Sequence, residues 1–363
     1  MARLPKVMLT GSSGALGKHT VLRLMEMGLD SCSLDLRADF PRTVETSVHV
    51  IHLAGISKGT DEELSNGNLF LAKKLTETLE SQTAIPEFLT YANTTKSIAD
   101  NSAYSRGKRD SGKFLAQWCE RKGVKFRNIL LPNLIGPLAE PYRNMVGSSI
   151  VFESFNGLRD LALNAKGFGL ATLQDAADVI CDVNLESFQI ALEIYSSLDL
   201  RGIAEGMTKE MKSGIFPNLT YPLHNSIYEM LAHLWFFDEE PKRAEQAKKD
   251  ERGSFREIGK IAGGEWQISE VEFSTGAIRG NHFHRRLVET FHLLRGDLEL
   301  TYGPAWGTLD GLRKTRLSTG TPFIMPVGIW HSFENQKDSE SSMLVTANRW
   351  FNPEKPDTIN CEL

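Results

Sequence analysis

The sequence contains few cysteines and no closely spaced cysteine pair. Four cysteines occur among 363 residues, at Cys32, Cys119, Cys181 and Cys361. They are too far apart for a cysteine zinc site and too few for the disulfide framework of a small secreted domain. We therefore expect reduced thiols, as in the cytoplasm.

Long hydrophobic runs are also missing. A membrane helix needs about 20 nearly uninterrupted apolar residues, whereas the apolar stretches here are cut by Pro132, Pro137, His233 or Asp238. The chain reaches an apolar segment at Val7–Thr10, which leaves no room before it for a secretion signal. We expect a cytoplasmic chain that does not enter a membrane.

Neither sign of charge dominates. The 41 basic and 46 acidic residues give a formal charge of −5, which does not favour a nucleic-acid or anionic-membrane partner. With 41% hydrophobic and 24% charged residues the composition is globular, and disordered, collagen-like and coiled-coil chains are excluded. A small-molecule partner is the better expectation.

To about residue 200, short apolar runs alternate with longer helical stretches, which predicts a doubly wound parallel sheet. We predict strands near Lys6–Thr10, Ser31–Leu36, Val48–Leu53, Glu87–Tyr91 and Lys125–Leu131. We predict helices over Ala15–Met27, Asn68–Glu80 and Ala103–Lys122, the last ending at Gly123.

A charged run, Glu239–Arg252, separates this region from one with a different sequence pattern. Short strand-like segments broken by glycine and proline follow it and predict an all-β barrel or sandwich. They lie at Trp266–Phe273, Thr290–Leu294, Leu298–Tyr302, Thr321–Met325 and Ser342–Ala347. We expect two domains, residues 1–243 and 244–363.

A glycine-rich loop follows the first predicted strand and opens the first helix. Its residues are Gly11, Ser12, Ser13, Gly14, Ala15, Leu16 and Gly17. A loop at this place brings backbone N–H groups against a pyrophosphate. Gly11 permits the tight turn, Gly14 the close approach and Gly17 the packing of helix on strand. The simpler alternative is a glycine-rich surface turn.

Two charged residues close the second strand and point to opposite cofactors. Asp35 stands where an acid usually binds the ribose hydroxyls, whereas Arg37 is placed to bind a 2′-phosphate. Either side chain is equally consistent with a solvated strand end.

Tyr104 and Lys108 lie four residues apart, so a helix presents both from one face. In a pocket the ammonium lowers the pKa of the phenol, which then donates a proton to a ketone oxygen as hydride arrives. The preceding strand ends in Thr94 and Thr95, either of which could hold the substrate oxygen. A pair of this spacing also occurs by chance.

These residues together resemble the extended short-chain dehydrogenase/reductase superfamily over about residues 5–185. The resemblance rests on the glycine loop, the His52–Gly55 strand end, the Tyr-x-x-x-Lys pair and the Pro132–Pro137 loop. It implies a Rossmann-like domain in which Leu53, Ala54, Gly55, Lys108 and Asn133 join the cofactor contacts. It favours NADPH, with NADH as the alternative. Only eleven residues separate Leu36 from Val48, so the adenine side of the fold should be trimmed.

The second domain carries two spaced motifs. Gly276-x5-His282-x-His284-x4-Glu289-x6-Gly296 is followed by Gly320-x5-Pro326-x-Gly328-x2-His331-x3-Asn335. Histidines two apart face the same side of a strand, and Glu289 and His331 could complete a divalent metal site from neighbouring strands. The motifs resemble those of the cupin superfamily, which implies a cupin barrel holding a divalent metal, with zinc expected. The alternative is a cupin that keeps these residues without a metal.

Other residues near these motifs have simpler interpretations. His292 has the opposite strand parity to Glu289 and should face outward or pack. Arg285 and Arg286 are either solvated or diphosphate contacts. Asp250–Phe255 resembles the N-terminal arm of nucleotide-sugar epimerase cupins, which either builds part of a pocket or crosses to a second subunit.

An extended reductase fused to a cupin resembles the bifunctional capsular-polysaccharide epimerase/reductases. That resemblance implies C3 epimerisation of a UDP-2-acetamido-2,6-dideoxy-4-hexulose by the cupin, then NADPH-dependent reduction of C4 by the reductase domain. It also implies a UDP-linked 4-keto-6-deoxy amino sugar as substrate and a homodimer through the cupin. Two alternatives stay open: a reductase whose cupin only binds metal and dimerises the chain, and an oxygen-using metal cupin with an attached reductase.

Overall fold

The structure is a computed structural model. It describes residues 6–36, 49–82, 85–143, 145–184, 193–238, 247–263, 266–305, 311–320, 322–336 and 340–360. The chain forms two compact units, Met1–Thr208 with Leu219–Glu239 and Lys209–Asn218 with Glu240–Leu363. The predicted boundary at residues 243 and 244 lies outside the described residues. The segment Lys209–Asn218 precedes this boundary but belongs to the second unit, and no pattern in the sequence indicates this.

The first unit is built on a five-stranded parallel sheet in the order β2-β1-β3-β4-β5. Its strands are β1 (Lys6–Thr10), β2 (Asp30–Leu34), β3 (His49–His52), β4 (Phe88–Thr94) and β5 (Lys125–Leu131). A three-stranded sheet is formed by β6 (Asn133–Ile135), β7 (Phe168–Thr172) and β8 (Glu193–Tyr195). The helices are α1 (Ala15–Glu26), α2 (Asp61–Glu80), α3 (Lys96–Ala99), α4 (Ala103–Lys122), α5 (Val146–Asn156), α6 (Leu173–Cys181), α7 (Ser197–Lys212) and α8 (Pro222–Asp238).

Helices cover both faces of the parallel sheet. Met8 of β1 packs into a cluster with residues of α2 and α4, such as Leu75 and Leu115. Its neighbour Leu9 packs on the other face, in a cluster that includes Leu24 of α1 and Ile180 of α6. Successive side chains of a strand point to opposite faces, so the sheet is doubly wound as predicted.

The chain connection from β2 to β3 crosses β1, so that β3 pairs with the edge of β1 opposite to β2. β1 pairs with β2 on one side and with β3 on the other. The order therefore reverses between β1 and β3, and ligands of open α/β sheets bind at such a point, beyond the carboxyl ends of the strands. Residues 37–48, where the trimming was predicted, lie outside the described residues.

Helix boundaries follow local capping. α2 begins at Asp61 rather than at the predicted Asn68, because Thr60 and Glu63 form a reciprocal capping box. α4 begins after Ser102, whose hydroxyl accepts from the Ser105 amide, and ends at Gly123 with a left-handed φ of 70°. The predicted limits of α4 are correct.

The second unit consists mainly of strands. One sheet has the order β10-β11-β12-β19-β14-β17, with β9 pairing β11, and the other the order β16-β15-β18-β13-β20. The strands are β9 (Ile215–Phe216), β10 (Lys248–Asp250), β11 (Gly253–Ile261), β12 (Trp266–Phe273), β13 (Ile278–His284), β14 (Glu289–Arg295), β15 (Leu298–Pro304), β16 (Arg313–Leu317), β17 (Pro322–Met325), β18 (Ile329–Glu334), β19 (Ser341–Ala347) and β20 (Thr358–Asn360). Both sheets contribute to one hydrophobic cluster, for example through Phe291 of β14 and Phe333 of β18. The predicted fold class, a helix-covered parallel sheet followed by an all-β region, is confirmed.

Among the described residues, none of the helices is both long and apolar enough to span a bilayer. Cys32, Cys119 and Cys181 carry free thiols.

Candidate functional sites

The glycine loop is shaped by its contact with the segment after β3. Gly11 has a φ of 75°, and a Cβ on it would lie 2.7 Å from the Ala54 nitrogen. A Cβ on Gly17 would lie 2.2 Å from the Gly11 carbonyl oxygen. Gly14 is the N-cap of α1 and provides no side-chain cap. The loop therefore leaves the N-terminal amides of α1 open at the carboxyl edge of the sheet, where an anionic group is favoured.

Thr10 joins the predicted residues Leu53 and Ala54 to the glycine loop. Its carbonyl oxygen accepts from the Leu53 amide at 3.2 Å, and its hydroxyl accepts from the Ala54 amide at 3.2 Å. Gly55 follows directly and is exposed. The glycine loop and Leu53–Gly55 thus form one continuous backbone edge.

Asn68, a buried residue that the sequence analysis did not identify, holds the backbone of Ile56, which follows Gly55. The Asn68 amide on α2 donates to the Ile56 carbonyl at 2.9 Å and accepts from the Ile56 amide at 3.0 Å. Asn68 is 3% exposed. The signal was its spacing of three and seven residues from Leu71 and Leu75, which places a polar residue on the buried face of α2.

Only one of the two charged residues predicted to select the cofactor lies among the described residues. Asp35 follows β2 and is exposed, whereas Arg37 lies outside the described residues. The Ser12 hydroxyl lies 2.5 Å from the Ser33 hydroxyl, which ties the glycine loop to the end of β2.

Lys108 is almost completely buried. It is 5% exposed, and its ammonium donates to the Ala92 carbonyl at 2.5 Å. The same nitrogen lies 4.3 Å from the centre of the Tyr91 ring. Burial lowers the pKa of Lys108 to about 7. A Cβ on Gly55 would lie 3.8 Å from the ammonium, so Lys108 reaches the loop predicted to bind the cofactor.

His52 contacts the Tyr91 ring that lies under Lys108, and Thr10 in turn contacts His52. The His52 ring stacks on Tyr91 with centroids 5.5 Å apart, and its Nδ1 lies 2.7 Å from the Thr10 hydroxyl. Burial, with a contribution from Lys108, lowers the pKa of His52 to about 3, which keeps the ring neutral. Thr10, His52, Tyr91 and Lys108 therefore form a chain of contacts through the sheet.

Tyr104 lies one turn before Lys108 on α4 and is half-buried. Burial raises the pKa of its hydroxyl, which differs from the expected lowering by Lys108. The reason is that the ammonium is directed to Ala92 and Tyr91. A raised pKa keeps the phenol protonated at neutral pH, as a proton donor requires.

The two candidate threonines differ in their hydrogen bonds. The Thr94 hydroxyl accepts from the Lys96 amide at 3.3 Å, and Thr94 is 8% exposed. Thr95 is half-buried and stands at the N-cap of α3 without capping it. The predicted cofactor residue Asn133 uses its amide to donate to the Gly169 carbonyl at 3.1 Å, which joins β6 to β7.

The four predicted metal ligands of the second unit are brought together by three strands. His282 and His284 lie on β13, Glu289 begins β14, and His331 lies on β18. One ligand atom from each lies within 4.8 Å of the other three. Glu289 Oε2 is 3.2 Å from His284 Nε2 and 3.6 Å from His331 Nε2. We call this set the His3Glu cluster.

A β-bulge aims one of these histidines. The pairing of β13 with β18 shifts between Gly280 and His282, which leaves Asn281 outside the register with a φ of 59°. Gly280 has a φ of 101°, and a Cβ there would lie 2.7 Å from the His331 carbonyl oxygen. The bulge places His282 opposite His331 and is of the kind found beside functional sites.

Backbone carbonyls orient the other two rings. His284 Nδ1 donates to the Asp357 carbonyl at 3.1 Å, and His331 Nδ1 donates to the Ile329 carbonyl at 3.2 Å. Each Nε2 is then left with a lone pair directed into the cluster. His284 Nε2 is buried and faces Glu289 Oε2 at 3.2 Å. A buried donor set of three imidazoles and a carboxylate suits a divalent transition metal.

Burial and Glu289 together set the charges of the cluster. Burial lowers the pKa of His282 to about 4 and also lowers that of His331. For Glu289, burial favours the neutral acid, but contact with His284 outweighs it and the pKa is lowered. The pKa of His284 is raised, because the same contact outweighs its burial. Two neutral imidazoles and an ionised carboxylate are thus already in the forms that bind metals.

Other predicted features of the second unit have structural roles. His292 is half-buried, one residue out of phase with buried Phe291 and Leu293. Arg285 and Arg286 are exposed, and their backbone amides donate to the Asp357 carboxylate. In the segment Asp250–Phe255, Asp250 forms ion pairs with Arg252 and Arg279.

Comparison with known proteins places these sites in context. Residues 248–359 match the family described as the polysaccharide biosynthesis C-terminal domain. No curated protein matches the sequence. Two solved UDP-sugar epimerases resemble the N-terminal part: UDP-N-acetylglucosamine 4-epimerase from Bacillus cereus (17% identity, 65% of this chain and 99% of that chain, TM-score 0.52) and UDP-glucose 4-epimerase from Thermus thermophilus in complex with NAD (16%, 63% and 98%, 0.50).

The whole chain resembles the capsular polysaccharide assembling protein CapF from Staphylococcus aureus. The identity is 20% and the TM-score 0.75, over 99% of this chain and 100% of that chain. The chain therefore has the two-domain fold of CapF, as the resemblance of its motifs predicted.

Proposed function

We propose that the chain is a bifunctional nucleotide-sugar enzyme of polysaccharide biosynthesis. The second unit epimerises C3 of a UDP-2-acetamido-2,6-dideoxy-4-hexulose, and the first unit reduces its C4 ketone with NADPH. One observation carries the proposal: a single chain with the fold of CapF presents both a Tyr104–Lys108 reductase edge and a buried His3Glu cluster.

In the first unit, NADPH when bound supplies the hydride. The backbone edge formed by the glycine loop and Leu53–Gly55 holds the cofactor, Lys108 binds its nicotinamide ribose, and Arg37 selects its 2′-phosphate. Tyr104 donates a proton to the C4 oxygen, for which its raised pKa is suited. The C4 ketone acidifies the C3 proton, so epimerisation has to precede reduction.

Thr95 is the threonine we propose to bind the substrate oxygen. Thr94 already uses its hydroxyl to accept from the Lys96 amide, whereas the Thr95 hydroxyl, at the end of β4, does not cap the helix that follows it. A hydroxyl that bonds to the ketone helps to stabilise charge developing on oxygen during reduction.

In the second unit, His282, His284, Glu289 and His331 would hold a divalent cation, for which we propose zinc. When bound, such a cation would act as a Lewis acid toward a carbonyl oxygen and so make the adjacent C–H proton easier to remove. The convergence of the four ligand atoms within 4.8 Å of one another and the carbonyl bonds to the Nδ1 atoms of His284 and His331 support this assignment. The homodimer and the cytoplasmic location stay predictions.

The decisive experiment uses the full chain with a UDP-4-keto-6-deoxy-N-acetylhexosamine. With NADPH we expect loss of absorbance at the cofactor band. Without NADPH, in deuterated water, we expect deuterium to enter at C3, because the enolate forms before reduction. Reduction without exchange would favour the alternative in which the second unit only binds metal and dimerises the chain. The absence of both reduction and exchange would refute the proposal.

A further inference from the structure

A short loop, residues 285–288, joins two members of the His3Glu cluster. His284 ends β13 directly before the loop, and Glu289 begins β14 directly after it. A change in the loop therefore moves a nitrogen ligand atom relative to a carboxylate ligand atom. The geometry of the cluster depends on how firmly this loop is held.

Three of the four loop amides are bound by one carboxylate. Asp357 Oδ1 accepts from the Arg285 amide at 3.3 Å, and Asp357 Oδ2 accepts from the amides of Arg286 and Leu287, each at 2.8 Å. Hydrogen bonds to an ionised acceptor are stronger than neutral ones. Both oxygens of this half-buried residue are thus committed to the loop backbone.

The fourth loop amide is bound by an asparagine. Asn348 Oδ1 accepts from the Val288 amide at 2.9 Å, and the Asn348 amide donates to the Val288 carbonyl at 3.3 Å. Asn348 and Asp357 together therefore provide a side-chain acceptor for every amide of the loop. The loop gains from these two residues the hydrogen bonds that strand pairing does not supply to it.

Both acceptors belong to one connection that runs alongside the loop. The chain leaves β19 beside Glu289, with which Ala347 pairs, and it enters β20 beside His284, with which Thr358 pairs. We call the connection, residues 348–357, the C-terminal strap. The strap therefore spans the same gap between the two ligands as the loop does.

Asp357 also contacts a ligand directly through its backbone. Its carbonyl oxygen accepts from His284 Nδ1 at 3.1 Å. A bond of this kind fixes the orientation of the ring and leaves Nε2 for a metal. One residue thus holds both the His284 ring and the backbone that leads from His284 to Glu289.

We propose that Asp357 is a positioning residue which, together with Asn348, sets the metal affinity and the ligand geometry of the His3Glu cluster. Neither residue belongs to the cluster itself. Their hydrogen bonds hold His284 and Glu289 at a fixed spacing before a cation arrives, so less conformational entropy is lost when it binds. This inference rests on the metal site of the proposed function and adds the segment that shapes it.

Titration of the metal-free full chain with Co²⁺ tests the role of Asp357. We expect Asp357→Asn to raise the dissociation constant about tenfold or more, because a single oxygen then faces three N–H donors. The visible absorption of bound Co²⁺ should also change, since it reports ligand geometry. The matched control is Asp297→Ala, which removes a half-buried carboxylate that pairs with Arg316 beyond the far end of β14. It should keep the wild-type affinity and spectrum.

A pair of substitutions at Asn348 keeps the test valid if Asp357→Asn does not fold. Asn348→Ala removes the acceptor of the Val288 amide and should weaken Co²⁺ binding, whereas Asn348→Asp retains an oxygen acceptor and should bind at least as tightly as the wild type. Circular dichroism and thermal unfolding in the presence of a chelator measure the stability of each metal-free variant. Lower stability with an unaltered Co²⁺ spectrum and affinity would show that the strap only stabilises the fold, and would overturn the inference.

The titration separates failure of this inference from failure of the proposed metal site. Wild-type affinity in both Asp357→Asn and Asn348→Ala would overturn the inference and leave the metal site standing. A wild-type chain that binds no Co²⁺ would overturn the metal site and the inference together. Equal losses in Asp357→Asn and Asp297→Ala would also overturn it, because the effect would then not depend on the strap.

Discussion

The ammonium of Lys108 lies 4.3 Å above the ring of Tyr91 while it donates to the Ala92 carbonyl. Both partners belong to β4, and both are neutral. Lys108 is therefore held without a carboxylate, in a position where burial lowers its pKa to about 7. This arrangement makes its charge sensitive to pH in the neutral range.

We expect the affinity for NADH, which has no 2′-phosphate to titrate, to fall as the pH rises through about 7. The physical reason is that burial lowers the pKa of Lys108 to about 7, so the ammonium that we propose bonds to the nicotinamide ribose is lost above this pH. Fluorescence titration across the neutral range measures the affinity. Lys108→Met should remove the dependence, whereas Lys113→Met, on the exposed side of the same helix, should keep it. A flat wild-type profile would contradict this role.

Tyr104→Phe should lower ketone reduction by about 10²-fold, because it removes a positioned proton donor. Cofactor binding should be unchanged, since the ring and the helix are retained. Turnover followed by NADPH absorbance gives the rate, and a cofactor titration gives the control. Normal turnover in this variant would show that Tyr104 is not the donor.

The two threonines should respond differently to valine. Thr95→Val should lower kcat by about 10²-fold, because a hydroxyl that stabilises charge on the substrate oxygen is lost. Thr94→Val should mainly lower the free energy of unfolding, by about 1 kcal/mol, since the Lys96 amide loses its acceptor. Steady-state rates and denaturant unfolding separate the two effects. The reverse result would assign the substrate contact to Thr94.

His282→Ala/His331→Ala should abolish metal content, because two remaining ligands are too few for a stable site. Elemental analysis of the purified protein measures the metal. The control variant His292→Ala changes a histidine outside the cluster and should retain the metal. Deuterium exchange at C3 of the ketosugar should also be lost in the double variant, with an unaltered circular dichroism spectrum as the check on folding. Exchange that continues unchanged would separate epimerisation from the His3Glu cluster.

Gly107→Ala should destabilise the first unit by about 1–3 kcal/mol, because the added carbon would lie 2.3 Å from the Leu64 carbonyl oxygen where α4 packs on α2. Gly202→Ala is the matched control, since no atom lies within 4 Å of a Cβ at this position of α7. It should stabilise by about 0.5–1 kcal/mol through better helix propensity. Thermal unfolding of both variants tests the pair. Equal stabilities of the two variants would contradict the close approach of α4 to α2 at Gly107.

The sequence by itself determined the local features of both sites. The glycine loop, the Tyr104–Lys108 turn and the pair His282 and His284 could be predicted because strand and helix periods place nearby residues on known faces. The doubly wound sheet followed from alternating patterns. The start of α2 was missed, because the capping box at Thr60 outweighed the apolar pattern there.

Only the tertiary structure decided how distant segments support these residues. Asp357 clamps the loop after His284, Asn68 holds the segment after β3, and Tyr91 with His52 lies beneath Lys108. The bulge at Asn281 also appears only when β13 pairs with β18. Such contacts depend on the register of whole strands and on which element covers which face, and no local period encodes them.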